Sequence, residues 1–350
     1  MSEQNQQALT TWNDEADVII VGFGGAGAVA AIEAREQGAD VLVVDRFHGG
    51  GATAISGGVF YSGGGTHIQQ EADVEDSVDD MHRYLQMETS GIVSDDTLRE
   101  FCESSTDNLR WLESHGVPFE ASLCPVKTSY PTDDYYLYYS GNESFRPYRE
   151  EAEPAPRGHR AKGRSLPGAS FYEPLRESAV KLGARAQYET RVERLIRNDD
   201  GEVVGIECVQ LPPGSKAAKK HRKLNERAIK WKNYAPALSK RWWKKCEKIE
   251  ADFGVRKRFR ARNGVILATG GFIYNREMVE EEAPKYRRGM PLGTWGDKGH
   301  GIQMAEQIGA ATDHMSRVSA WRFINPPLAW TKGIIVNGDG KRYVNETLYG

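Results

Sequence analysis

The sequence predicts an α/β fold, and three observations taken together predict it. Asp17-Val-Ile-Ile-Val21 is an apolar strand, Gly22-Phe-Gly-Gly-Ala-Gly27 is a glycine-rich turn opening an alanine-rich helix, and a second strand, Val41-Leu-Val-Val44, ends in Asp45. A strand, turn, helix and strand in this order form the unit that holds a dinucleotide diphosphate. Gly22 permits the tight turn, Gly24 lets backbone approach the pyrophosphate, and Gly27 lets helix pack on strand. The helix start offers N–H groups and a positive dipole end to the phosphates. Asp45 is placed to accept hydrogen bonds from an adenosine ribose, with Arg46 beside it.

After Asp45 the chain runs into Gly49-Gly-Gly51-Ala-Thr53-Ala-Ile-Ser56-Gly57-Gly58, then Gly63-Gly-Gly-Thr66. Bulky side chains are absent where a flat ligand needs close backbone approach, and Thr53 and Ser56 supply hydroxyls. A plain surface loop is the alternative, and the position directly after the ribose acid disfavours it. Residues 73–116 read as helices, with Leu85, Leu98, Phe101, Leu109, Trp111 and Leu112 as core candidates. Ser129–Ser140 carries five tyrosines, which suit either a pocket lining or a packed edge strand. Pro154-Ala-Pro-Arg-Gly-His159 reads as an extended loop, residues 173–182 as a helix, and 186–196 and 203–209 as strands joined by a turn at Asn198-Asp-Asp-Gly201.

The charge is uneven. The 350 residues carry a net −3, yet residues 216–262 hold 18 of the 46 Lys and Arg against four acids, a local +14, which leaves the rest near −17. Aromatic residues, among them Trp231, Trp242 and Trp243, interleave with this charge, and Pro212-Pro-Gly214 opens the segment. It reads as an insertion, residues 212–262, between two strands. A solvated helical insertion whose tryptophans pack on the parent domain or a second subunit is favoured. Peripheral contact with an anionic membrane through 216–262 is the open alternative, an oligomer stays open with it, and no motif supports nucleic acid. Four widely spaced cysteines suit a reducing compartment. The polar start Met1–Thr11 and the lack of an apolar run of about 18 residues make a cytoplasmic protein the expectation.

The insertion ends at Gly264-Val-Ile-Leu-Ala-Thr-Gly-Gly271, a strand running into a second glycine turn at a sheet edge. A simple nicotinamide dehydrogenase has no reason for this turn so far downstream, so it points to a flavin. The chain here resembles the FAD-binding domain of the fumarate reductase and 3-ketosteroid dehydrogenase flavoproteins. Four ordered motifs carry the likeness: Gly22–Gly27, Gly50–Gly58, Ala268–Gly271, and Gly333-Ile-Ile-Val-Asn with Gly340-Lys-Arg-Tyr-Val-Asn-Glu346. Within that group it is most similar to the 3-ketosteroid 4-ene desaturases, through Gly58-Val-Phe-Tyr-Ser-Gly-Gly-Gly-Thr66, Ser140-Gly-Asn-Glu143, Pro154–His159 and Asn345–Tyr349.

The resemblance implies a Rossmann-like FAD-binding domain of the glutathione-reductase type over residues 13–272, and the start of an incomplete α+β substrate cap over 273–350, truncated at its C-terminus. It implies FAD, non-covalently held because no histidine precedes the loop serine (His48 lies just before the loop). Gly22, Gly24, Gly27, Asp45 and Arg46 would hold the adenosine diphosphate. Gly51, Thr53, Ser56, Gly57 and Gly58 would face the pyrophosphate and flavin. Val192 would meet adenine through its backbone, Thr269 and Gly270 would flank the dinucleotide, and Asp297 would occupy a glycine–aspartate turn, altered here by Lys298 and His300. The implied activity is desaturation of a small apolar ketone, a 3-ketosteroid or similar cyclic ketone. The α-proton leaves to a base, Tyr349 by likeness, and the β-hydride passes to flavin N5. A fumarate-reductase-like enzyme reducing an unsaturated acid, and an inactive FAD-binding fragment, are the alternatives.

Overall fold

The computed structural model describes residues 11–319 and 333–346. The strands are β1 (Asp14–Val21), β2 (Val41–Val44), β3 (Val59–Tyr61), β4 (Leu137–Tyr138), β5 (Gly158–Arg160), β6 (Arg185–Gln187), β7 (Thr190–Arg197), β8 (Val203–Gln210) and β9 (Val255–Leu267). The chain divides into two compact units. The first combines the described residues up to Ala54 with Leu175–Arg317, and the second holds Ile55–Pro174 with the described residues from Val318 onward. This is not the expected division at residue 272. Residues 55–174, expected inside the FAD-binding domain, form contacts of their own, and 273–317 pack with the first unit.

The first unit is built on a six-stranded mixed sheet of order β6-β2-β1-β9-β8-β7. β1 pairs in parallel with β2 and with β9, and β8 pairs antiparallel with both β9 and β7. β2 is buried along its whole length, as expected of a strand covered on both faces. Ile19, Leu42, Ile206, Cys208 and Phe259 form the core on this sheet. The turn Ala268–Gly271 does not lie at a sheet edge, because β9 sits beside β1 in the sheet interior. The expected strand over 186–196 is two strands, interrupted where Glu189 takes a left-handed φ of 48°.

The basic segment is a helical hairpin between β8 and β9: helices Lys216–Trp231 and Pro236–Phe253. Ser215 caps the first by accepting the Ala218 N–H, and Pro236 supplies a preset φ at the start of the second. Residues 255–262 are not insertion, since they form the first half of the long strand β9. Each helix buries one stripe, with Ala218, His221, Leu224, Asn225 and Ala228 on the first and Ser239, Trp243, Cys246 and Glu250 on the second. The lysines thus fall on the solvated faces. Trp243 packs within the unit, while Trp231 and Tyr234 near the hairpin turn are exposed. No helix among the described residues is long and apolar enough to cross a membrane. The four cysteines are free and buried.

The second unit has a three-stranded antiparallel sheet, β3-β5-β4, and the expected helices, Val78–Thr89, Asp95–Glu103 and Ser105–Ser114. Ser77 and Ser94 cap the first two, and aspartates occupy both first turns, complementing the dipole. Of the expected core residues, Leu98, Leu109 and Leu112 are buried, whereas Leu85, Phe101 and Trp111 are half-buried. Pro154–His159, expected as a loop, ends in β5. Arg157 makes two hydrogen bonds to Asp76, at 2.9 and 2.6 Å, and both side chains are fully buried. Breaking such a pair leaves a buried charge unpaired. Asp76→Ala is expected to cost about 3–5 kcal/mol, read as a shift in the urea unfolding midpoint at constant slope.

Candidate functional site

A cleft of about 630 Å³ opens at the carboxyl ends of β1, β2 and β9. Ligands of open α/β sheets bind outside these strand ends. Three bare backbone segments meet here. A Cβ on Gly27 would lie 2.0 Å from the Gly22 carbonyl oxygen, and one on Gly22 (φ +100°) would lie 2.4 Å from that of Ala268. The Gly50 N–H donates to the Phe23 carbonyl at 2.9 Å, tying the second glycine loop to the first. Gly24 differs from its neighbours, because a Cβ there would meet nothing nearer than the Gly50 oxygen at 3.8 Å. Gly24 is therefore not required by packing within the chain, and it leaves open a space beside the helix start.

Gly22, Gly24, Gly51 and Thr53 line this cleft together with Asp45, Arg46, Val192, Thr269, Gly270 and Asp297. Gly27 lies behind it as a packing residue. Ser56, Gly57 and Gly58 belong to the second unit, where the Tyr130 hydroxyl donates to the Gly57 carbonyl at 2.8 Å and a Cβ on Gly58 would press on the Pro167 carbonyl. Tyr349 lies outside the described residues.

Two acids and one base have work within the protein that the sequence did not suggest. Asp45 Oδ2 accepts the Phe23 N–H at 2.7 Å and Oδ1 accepts the Phe47 N–H at 2.7 Å, so this carboxylate pins the glycine turn to the end of β2. Oδ1 also accepts the Gly49 N–H at 3.4 Å, so Oδ2 is the oxygen that keeps a further lone pair for a ribose hydroxyl. Asp297 Oδ2 accepts the Thr294 N–H at 2.6 Å, and burial pushes its carboxyl pKa up. Arg46, expected to serve the cofactor directly, is committed to Glu250 of the hairpin. Its Nε and Nη2 each donate at 2.9 Å in the fork geometry that suits a carboxylate, and its guanidinium lies 4.8 Å from the Trp243 ring centroid.

Glu250 is the hub of this attachment. His221 Nε2 lies 3.0 Å from Oε1 and Arg191 Nη1 3.5 Å from Oε2. Burial raises the pKa of Glu250, but the His221 hydrogen bond and the Arg46 charge outweigh it and bring it from 4.5 to about 2. Further ties run from Arg222 to Glu189 at 3.0 Å, from Lys298 to Glu247 at 3.0 Å, and from the Trp295 indole N–H to Ser239 Oγ at 2.8 Å. The hairpin thereby contributes Asn225 and Ile229 to the cleft lining, and Thr190, Arg191 and His300 join from the parent unit. Sequence reasoning missed all five. Only the helical spacing of Asn225 and Ile229 carried any signal, and it could not say which surface that face meets.

The chain matches the FAD binding domain family over residues 17–349. It belongs to this family. A 3-oxo-5-alpha-steroid 4-dehydrogenase of Comamonas testosteroni is 39% identical over 350 residues, covering 97% of this chain and 64% of that protein. A fumarate reductase (cytochrome) of Shewanella frigidimarina is 26% identical over 359 residues, covering 99% of this chain and 50% of that protein. Among solved structures, the 3-ketosteroid-delta4-(5alpha)-dehydrogenase of Rhodococcus jostii RHA1, in complex with 4-androstene-3,17-dione, is 35% identical. It has a TM-score of 0.80 and covers 98% of this chain and 64% of that one. The chain thus spans between half and two thirds of the length of these relatives. FAD is the cofactor of the family, and the cleft fits its adenosine diphosphate half: glycine backbone and a helix start for the diphosphate, with carboxylates already engaged by backbone N–H groups.

The motifs of the second unit also converge. Tyr61, from the segment after Gly58, donates to Glu143 Oε1 at 3.2 Å, the Gly141 N–H donates to the same carboxylate, and Thr66 Oγ1 lies 2.9 Å from His159 Nε2. Burial raises the Glu143 pKa and lowers that of Lys127, whose ammonium donates to the Tyr139 carbonyl at 3.0 Å. Burial also holds His159 down to about 4. Of the clustered tyrosines, Tyr136 and Tyr138 are buried, and Tyr130 accepts from Arg160 Nε at 2.8 Å, so these three pack the unit.

Gly24→Ala is expected to leave the melting temperature of the FAD-free protein within about 2 °C and to weaken FAD binding tenfold or more. Gly27→Ala is expected to destabilise the fold by about 1–3 kcal/mol through overpacking. Flavin titration and thermal melts read both. Because the Glu250 pKa is depressed by folding, its stabilisation is complete above pH 4.5 and is lost as pH falls toward 2. It amounts to about 3 kcal/mol. Glu250→Gln should remove that slope from denaturant unfolding measured across the same pH window.

Proposed function

We propose that the protein is a FAD-dependent oxidoreductase that desaturates a 3-ketosteroid or similar cyclic ketone next to its carbonyl. The observation that carries this reading is the 39% identity to the steroid 4-dehydrogenase over 97% of this chain. The Rhodococcus neighbour in complex with 4-androstene-3,17-dione supports it. FAD, when bound, supplies a two-electron acceptor for the hydride.

The glycine turn 22–27 and the loop at 49–51 keep side chains away from the diphosphate, while Asp45 holds these two segments in register. Thr269 and Asp297 bound the cleft beside them. In this reading Ser56, Gly57 and Gly58 carry backbone toward the flavin end, and Val192 offers its backbone to adenine. Tyr349 takes the proton from the carbon next to the ketone, a transfer that hydrogen-bond donors to the ketone oxygen make accessible by stabilising the developing enolate.

Dye-coupled assays with 3-ketosteroids, set against fumarate with a reduced dye, test the reading. Turnover of the steroids is expected, and turnover of fumarate alone would replace it with the reductase reading, which the 26% identity to the Shewanella enzyme favours. Tyr349→Phe should lower kcat by about 10²-fold or more while flavin absorbance per chain is unchanged.

A further inference from the structure

Asn225 is 8% exposed and lines the cleft, yet its side-chain amide makes no hydrogen bond among the described residues. The residue is largely buried, yet its amide atoms are not sealed off, so they are left open to the cleft without a protein partner. Ile229 lies one helical turn further on the same face and lines the same cleft. The hairpin therefore presents a neutral amide beside a branched aliphatic side chain. Its basic residues are turned elsewhere, as with Arg222, which is paired to Glu189. A phosphate would call for cations or free backbone N–H groups. A flat, uncharged heterocycle with adjoining donor and acceptor atoms calls for an amide and apolar walls, which Asn225, Ile229, Val192 and Met304 supply.

Position is secured as well as chemistry. Asn225 is one turn from His221, which bonds the buried Glu250 carboxylate, and Glu250 is in turn clamped by Arg46 at the end of β2. The helix bearing Asn225 is thus tied to the strand end from which the cleft begins, so its amide is held rather than free to swing.

We propose that the inserted hairpin forms the adenine-facing wall of the FAD site, and that the Asn225 amide reads the base through paired hydrogen bonds, accepting from its exocyclic amine and donating to the adjoining ring nitrogen. An asparagine amide matches this donor–acceptor pair on adenine. The proposal rests on the cofactor assignment and adds the residue that selects the base.

The test uses FAD and an FAD analogue carrying hypoxanthine in place of adenine, which exchanges the exocyclic amine for an oxygen. Both are titrated into the wild-type apoprotein by flavin fluorescence and into Asn225→Ala. The wild type is expected to bind the analogue about tenfold or more weaker than FAD, and Asn225→Ala to bind FAD correspondingly weaker and to lose the discrimination. Equal wild-type affinity for the two ligands would overturn the proposal with the cofactor assignment intact. So would a variant that keeps wild-type affinity and discrimination. A wild-type protein that binds neither ligand would overturn both. The wild-type comparison stands even where the variant fails to fold.

Discussion

Everything at the head of the main sheet depends on backbone meeting backbone without side chains between. The Gly22 carbonyl occupies the space a Cβ on Gly27 would need, and the Ala268 carbonyl does the same to Gly22. These contacts draw the end of β1, the start of the following helix and the end of β9 into one narrow region. The Asp45 carboxylate, bonded to the N–H groups of Phe23 and Phe47, then sets the second strand end against the first. A cleft follows because these segments converge while Gly24 leaves its own side open. Glycine thus does two different things within six residues. It allows close packing at Gly22 and Gly27, and at Gly24 it withholds a side chain from the cleft.

The inserted hairpin lends part of its buried face, Asn225 and Ile229, to a wall of that cleft. Burying one carboxylate among cations makes this workable. Glu250 draws Arg46 and His221 onto itself, and the depressed pKa measures how strongly the ionised form is preferred. A buried pair of this kind is a weak source of net stability and a strong source of positional specificity. Specificity is what the arrangement requires, since a helix that slid by one residue would take Asn225 and Ile229 off the cleft. Of the hairpin's lysines, Lys232 at the turn is half-buried and donates to the Gly293 carbonyl, and the others stay exposed.

The second unit gathers its motifs by the same logic of buried polar satisfaction. Arg157 and Asp76, His159 and Thr66, and Glu143 and Tyr61 each close on partners far away in sequence, and the Gly141 N–H adds a local bond to Glu143. The stretches 58–66, 140–143 and 154–159 are therefore not separate signatures. They are three segments that meet through buried hydrogen bonds, which accounts for so many polar residues surviving burial around a small sheet.

The sequence by itself determined the α/β class, the glycine turn with its acid at the end of β2, the helical stretch over 73–116 and the presence of an insertion. These are local patterns of period and spacing, and short-range sterics read them directly. It also named ten residues that line one cleft, because strand ends and glycine loops project to predictable places. Only the tertiary structure decided that residues 55–174 form their own unit and that the Ala268 turn lies within the sheet. It alone assigned Arg46 to Glu250 and brought the hairpin's buried face to the cleft. Each of those outcomes turns on a partner more than a hundred residues away, or on which of several apolar surfaces a helix meets. Periodicity marks a face for burial, but it carries no information about what that face is buried against.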